Sequence, residues 1–203
     1  MRLLGIASTG IAAGLPQWVY AAATKPALVL GLDISDSITL DPAREAQYTA
    51  PLIMTAAYDS LITMTPGDYL NVQPELATTW ARTPDGKGWR FKLRGGVQFN
   101  SGNPVTADDI KWTIDRVINV KDRHSQYVDN VDRVTVVDPQ TVDIVMKDPA
   151  QPLLTILCGP NFGILDRKVL ETHGGTANVD AKTKDQALPG SIKTPPVLDL
   201  ICW

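Results

Sequence analysis

The side chains that could do chemistry are few and scattered. His124 and His173 are the two histidines, and Cys158 and Cys202 the two cysteines. A zinc site draws its ligands from short repeated spacings or from one helical face, and neither histidine has a ligand type four residues away. Serine hydrolysis needs a nucleophile raised on a sharp turn beside a base, and no such turn pattern occurs. No Gly-rich loop ends in Lys-Ser or Lys-Thr, so phosphate transfer has no cradle. Asp108 and Asp109 are an acidic pair suited to acid–base work, but they follow Thr106 at the spacing of a helix cap, which accounts for them. Arg90, Lys92 and Arg94 alternate with apolar residues and read as a solvated basic strand face. Two isolated thiols make no disulfide framework. The expectation is a protein that is not an enzyme and carries no metal and no cofactor, with an exported hydrolase as a weak rival.

Several elements can position side chains. Arg2 is followed by a mainly apolar run to Ala23 without an acidic residue, which reads as a secretory signal cleaved after Ala23, with Ala21 as the neighbouring choice. Ala27–Leu32 reads as a buried strand ending at Asp33, and Ala50–Ala57 as a buried helix. Pro74–Trp80 reads as a compact second module, closed by a turn at Asp85-Gly86. Trp89, Phe91 and Leu93 form the inward face of a strand, Gly95-Gly96 allows a sharp turn, and Val97 and Phe99 resume the alternation. Thr106 caps the clearest helix, whose Ile110, Ile114 and Val117 share a face as far as Asn119. Val131–Val137 and Thr141–Met146 form a hairpin across Asp138-Pro139-Gln140. Gln151–Leu157 is a short apolar element, and Asp166–Glu171 a further short helix. These add up to a mixed α/β or α+β fold.

Composition limits the functional classes. The 203 residues are 44% hydrophobic and 20% charged, which suits a buried core and disfavours wholesale disorder. A formal charge of −3 gives no broad attraction to phosphate backbones, so no nucleic-acid partner is expected. Fifteen glycines and fifteen prolines point to many turns.

Read together, the motifs form a recognisable order. Leu40-Asp41-Pro42, Tyr58-Asp59-Ser60-Leu61, Pro74-Glu75-Leu76-Ala77-Thr78-Thr79-Trp80, Asp85-Gly86 and Trp89–Arg94 are followed by Gly96–Phe99, Gly102–Asp109 and Arg116. From about Leu28 to Gln186 the chain resembles the family 5 extracellular solute-binding proteins, the dipeptide- and oligopeptide-binding components of ABC importers. One departure stands out, because the family often carries His-Asp before Gly102 and this chain has Asn100-Ser101. The resemblance implies a monomeric, periplasmic, two-lobed receptor that closes around a peptide or other small solute and presents it to an ABC permease complex at the inner membrane. An extended peptide between lobes would need its backbone and terminal charges hydrogen-bonded. The motifs identify scaffold, and Trp80, Trp89, Phe91, Phe99 and Trp112 are expected in the core. Ile34, Ser35 and Asp36, at the end of the first expected strand, are the expected ligand contacts, since α/β binding sites lie at strand ends.

The resemblance stops near Gln186. A permitted coding string for Leu188–Trp203, read from the third base of each codon, yields a segment containing Ser-Ala-Gly-Thr-Gly-Pro-Tyr, which resembles the family's continuation. The expected organisation is therefore a signal over 1–23, a partial first lobe over 24–187 and a frameshifted tail over 188–203, with the second lobe and most terminal-charge partners absent. Impaired ligand binding follows as an expectation, with a non-transport fragment that binds a permease or receptor as the alternative.

Overall fold

The computed structural model describes residues 31–177, apart from Leu32, Ile34, Ile38, Ala46 and Arg123. The expected signal, nearly all of the first expected strand, the tail and Cys202 lie outside the described residues. The chain divides into units 1–32 and 33–203, and the second is the subject below. In chain order its elements are α1 (Ala50–Ala57), β1 (Ile62–Met64), β2 (Val72–Pro74), β3 (Ala77–Arg82), β4 (Gly88–Leu93), α2 (Ala107–Val120), α3 (Ser125–Val128), β5 (Val131–Asp138), β6 (Thr141–Met146), α4 (Leu153–Leu157), a 3-10 turn (Pro160–Phe162) and α5 (Arg167–Thr172).

Two antiparallel hairpins join into one sheet of order β3-β4-β6-β5. Period-two alternation decides which side faces in. Phe91 lies between Trp80 and Val142, and Trp89 opposite Ile144, on the inner face. Arg90 lies opposite Asp143 on the outer face, where its guanidinium donates to both carboxylate oxygens at 2.7 and 2.8 Å. The basic strand face is thus solvated, with one cation paired across the sheet. Gly88 in β4 has no room for a side chain, because a Cβ there would sit 2.3 Å from the Ile144 carbonyl oxygen. Gly96 turns the chain after β4 with φ at +78°.

The 14-residue α2 lies between two cores. Ile110, Ile114 and Val117 pack with Phe91, Val134, Val142 and Ile144 of the sheet. Trp112, on another side of the helix, packs with Met54 and Tyr58 of the α1 region and with Leu165 and Leu170 around α5. The N-terminus forms as its sequence dictates: Asp109 accepts from the Thr106 backbone N–H at 2.9 Å and from its hydroxyl at 2.7 Å.

Two readings of the sequence need correction. Pro74–Trp80 is not one module, because β2 ends at Pro74 in a separate two-stranded sheet and β3 begins at Ala77 in the large one. Short strands with no clear alternation leave little signal for such a crossing. Ala50–Ala57 is a helix, but only Ala50 and Met54 are buried in it, and Leu52, Thr55 and Ala56 are exposed.

Candidate functional site

The segment from Asp33 to Thr49 is shaped by side chains instead of by ladders. Asp33 accepts from the Ser35 backbone N–H at 2.9 Å, and this bond holds its carboxyl below the usual range. Asp36 accepts from the Thr49 backbone N–H at 3.4 Å, tying the turn to the start of α1. Glu45 is fully buried and takes three donors: the Ser37 hydroxyl at 3.0 Å, Thr39 N–H at 3.2 Å and Gln47 N–H at 2.6 Å. Asp41 accepts from Ala43 N–H at 3.0 Å and pairs with the Arg116 guanidinium of α2, both side chains being fully buried. Charged groups can be buried in this way only when they are paired and hydrogen-bonded.

Neighbouring elements hold the same loop. The Tyr58 hydroxyl donates to Leu40 O at 3.1 Å, and burial, with Asp41 nearby, pushes its phenol well above the ordinary range. The Asn161 amide donates to Glu45 O at 2.8 Å and to Pro42 O at 3.3 Å. Leu40-Asp41-Pro42 and Arg116 were legible as scaffold motifs, and the ion pair shows why they belong together.

This frame presents an exposed surface. Ser35 and Asp36 occupy an exposed turn, while Ile34 and most of the strand expected before it lie outside the described residues. Beside the turn, Tyr48 is 92% and Leu52 60% exposed. With exposed Ala56 they make a stripe at four-residue spacing, opposite the buried stripe of Ala50 and Met54. A carboxylate, a hydroxyl, an aromatic ring and an aliphatic side chain can together take an N–H-bearing or cationic group with an apolar body beside it. Leu52 escaped the sequence reading because the whole of Ala50–Ala57 was expected to be buried, and Tyr48 lies just before that segment. The available signal was the second four-residue stripe.

Several other chemically capable residues have structural work. Asp109 caps α2 and also accepts from Arg167 N–H at 3.3 Å. Cys158 donates to Leu154 O at 3.3 Å, and burial, with the Glu75 charge nearby, pushes its thiol up to about 11, the reverse of an activated nucleophile. Ser101 and Asn103, around the departure from the family's turn, donate to the buried Asp166 carboxylate at 2.5 and 2.8 Å. Among the described residues no three His, Cys, Asp or Glu side chains converge as a metal site would require. A groove of about 600 Å³ crosses the outer sheet face past Arg90, Lys92, Asp138 and Thr141. Its cations already face Asp143 and Asp138, so it reads as a solvated face.

Comparison with known proteins adds a further line of evidence. Residues 71–194 match the model of bacterial extracellular solute-binding proteins, family 5 Middle. The chain is 29% identical over 157 residues to the probable D,D-dipeptide-binding periplasmic protein DdpA of Escherichia coli K12, covering 76% of this chain and 30% of the relative. It is 27% identical over 171 residues to the glutathione-binding protein GsiB of Salmonella typhimurium, covering 83% and 32%. The structure of Burkholderia pseudomallei OppA matches with a TM-score of 0.61 at 21% identity, over 68% of this chain and 30% of that one, which shows the shared fold. The chain therefore spans about 30% of the length of the relatives it matches.

Proposed function

The chain belongs to family 5 of the bacterial extracellular solute-binding proteins, and from that premise we propose that it forms part of the solute-capturing component of an ABC importer, taking a short peptide or related small solute in the periplasm. The relatives' names support this reading, since one is a dipeptide-binding periplasmic protein and another a glutathione-binding protein. The family consists of binding proteins, and of the side chains able to do chemistry Asp109 is occupied by capping and Cys158 by core contacts. Residues 1–23 act as the export signal, and the partner is a permease complex at the inner membrane, to which the monomeric receptor delivers its load.

The observation that carries the proposal is the exposed Ser35, Asp36, Tyr48 and Leu52 surface on a loop fixed by buried carboxylates. A fixed loop meets ligand without first being ordered, which favours binding. The 203 residues alone offer one wall of a site that closes in a two-lobed receptor, so they hold ligand weakly. NMR titration of the 203-residue chain with a dipeptide tests this. Resonance shifts are expected at Ser35, Asp36 and Tyr48, growing without saturation through the micromolar range. Shifts confined to the outer sheet face around Lys92 and Thr141 would sink the assignment, and tight calorimetric binding would sink the claim of impairment.

A further inference from the structure

Between Pro74 and Ala77 the chain leaves the two-stranded sheet of β1 and β2 and enters the large one. Backbone bonds cross this seam: Leu76 N–H donates to Ser60 O at 3.2 Å, Ala77 N–H to Leu61 O at 2.8 Å, and Arg94 N–H, just past β4, to Leu76 O at 2.8 Å. Glu75 adds a side-chain bond, accepting from the Ser60 backbone N–H at 2.9 Å. The hairpin beyond is small, since β1 and β2 pair over three residues each. A hairpin of that size has little stability of its own. Its hold on the rest of the molecule therefore depends on the seam and on Leu61 and Ile62, which enter the core. Asp68 shapes its turn, accepting from Leu70 and Asn71 N–H at 3.3 Å, and leaves Tyr69 and Leu70 in solvent.

The charges at this seam are unbalanced. Asp59, adjacent to Ser60 in the chain, and Glu75, bonded to Ser60, are both half-buried carboxyls. Burial pushes the Glu75 carboxyl up to about 7, the Asp59 charge adding to the rise against the Ser60 bond and Arg94. Burial raises the Asp59 carboxyl too, again against Arg94. Arg94 is exposed, so solvent and salt screen its pull on both. From the end of α4 comes the Cys158 thiol, pushed up to about 11 by burial and the Glu75 charge, so it stays neutral. Ionising both carboxyls thus puts two like charges in partly desolvated space against one screened cation. Opening the seam to water relieves them.

We propose that Glu75 and Asp59 form a proton-operated latch, which holds the hairpin of β1 and β2 against the large sheet in acid and lets it open locally as the pH rises toward neutral. Opening at Leu76 and Ala77 loosens the hairpin with its exposed Tyr69 and Leu70, while the ladder of β3, β4, β6 and β5 stays paired. The closed state binds the Glu75 proton more tightly than the open one. The latch is therefore tightest below about 4.5, the ordinary value for this carboxyl, and loosest above about 7. It does not rest on the Asp36 surface.

Native-state hydrogen exchange of the 203-residue chain, followed by NMR across this window and corrected for the intrinsic pH dependence of exchange, tests it. Protection at the Leu76 and Ala77 amides is expected to fall about tenfold with rising pH, the scale of one pKa unit. The fall should level off above about 7, and protection there should stay below that of the β4 ladder amides throughout. Glu75→Gln should remove most of the fall. Asp59→Asn takes away the like charge and should bring the levelling-off to lower pH, whereas Arg94→Gln takes away the opposing cation and should carry it higher. These opposite displacements decide the matter if Glu75→Gln fails to fold. Protection at Leu76 and Ala77 that is constant with pH, equal to that of β4 at every pH, or indifferent to both Asp59→Asn and Arg94→Gln overturns the latch.

Discussion

The stretch from Ala77 to Met146 and the stretch from Asp33 to Thr49 satisfy their backbones by different means. In the first, N–H and C=O groups pair strand to strand through β3, β4, β6 and β5, and side chains need only alternate. In the second, the N–H groups of Ser35, Thr39, Ala43, Gln47 and Thr49 are taken up by Asp33, Glu45, Asp41 and Asp36. A ladder survives the loss of one side chain, whereas a loop made by carboxylates changes shape with each one. The exposed surface proposed for capture sits on the region whose shape is most open to change by point substitution, carried by a sheet that is not.

Arg116 joins the two regions, so its removal breaks the comparison most severely. It rises from the helix that covers the sheet and pairs with Asp41 inside the loop, both fully buried. Arg116→Met leaves the Asp41 carboxylate buried without its guanidinium, and removal of one partner from such a pair costs about 3–5 kcal/mol. Urea unfolding of the two proteins measures this. A loss under about 1 kcal/mol would mean that the pair contributes no more than an exposed one does.

The same contrast explains what the sequence disclosed. Trp89, Phe91 and Leu93 announce β4 by alternation, and Thr106 with Asp109 announces the start of α2, because ladders and caps leave short-range periodic marks. The hairpin of β5 and β6 was legible from β-rich runs on either side of Pro139. The loop left no such mark. Glu45 carries no mark of its role in the sequence, yet it is fully buried because Ser37, Thr39 and Gln47 converge on it in space. Leu52 reads as core because it lies in an apolar segment, and its exposure depends on what packs over α1. Local periodicity makes the scaffold readable, while the surface depends on contacts at longer range, such as Arg116 with Asp41 or Asn161 with Glu45.

Glu45→Gln tests the carboxylate-made loop without touching the sheet. The amide keeps one accepting oxygen and turns an NH2 group toward donors that the carboxylate satisfied. A buried donor left unmade costs roughly 1–3 kcal/mol. Hydrogen exchange should show faster exchange at Thr39 and Gln47, with the ladder amides of β4 and β6 slowed as before relative to global unfolding. Equal acceleration in loop and sheet would merge the two regions into one cooperative unit and remove the distinction drawn between them.

The smallest effect is expected at the seam, where Glu75 lies between β2 and β3 and accepts from the Ser60 backbone N–H at 2.9 Å. Burial pushes its carboxyl up to about 7, against the Ser60 bond that lowers it, and Asp59 adds to the rise while Arg94 opposes it. Asp59 is itself raised by burial. A carboxyl raised in the folded state binds its proton more tightly there than in the unfolded chain, where it titrates near 4.5. Its contribution is therefore fully present below about 4.5 and is lost as pH rises through about 7. Glu75→Gln carries no charge at any pH and keeps an oxygen for Ser60. The stability gap between variant and wild type, followed by urea unfolding across this window, should move in the variant's favour with rising pH and level off above about 7. A gap that stays constant with pH would place Glu75 in solvent and leave the seam held by backbone bonds alone, Leu76 N–H to Ser60 O and Ala77 N–H to Leu61 O.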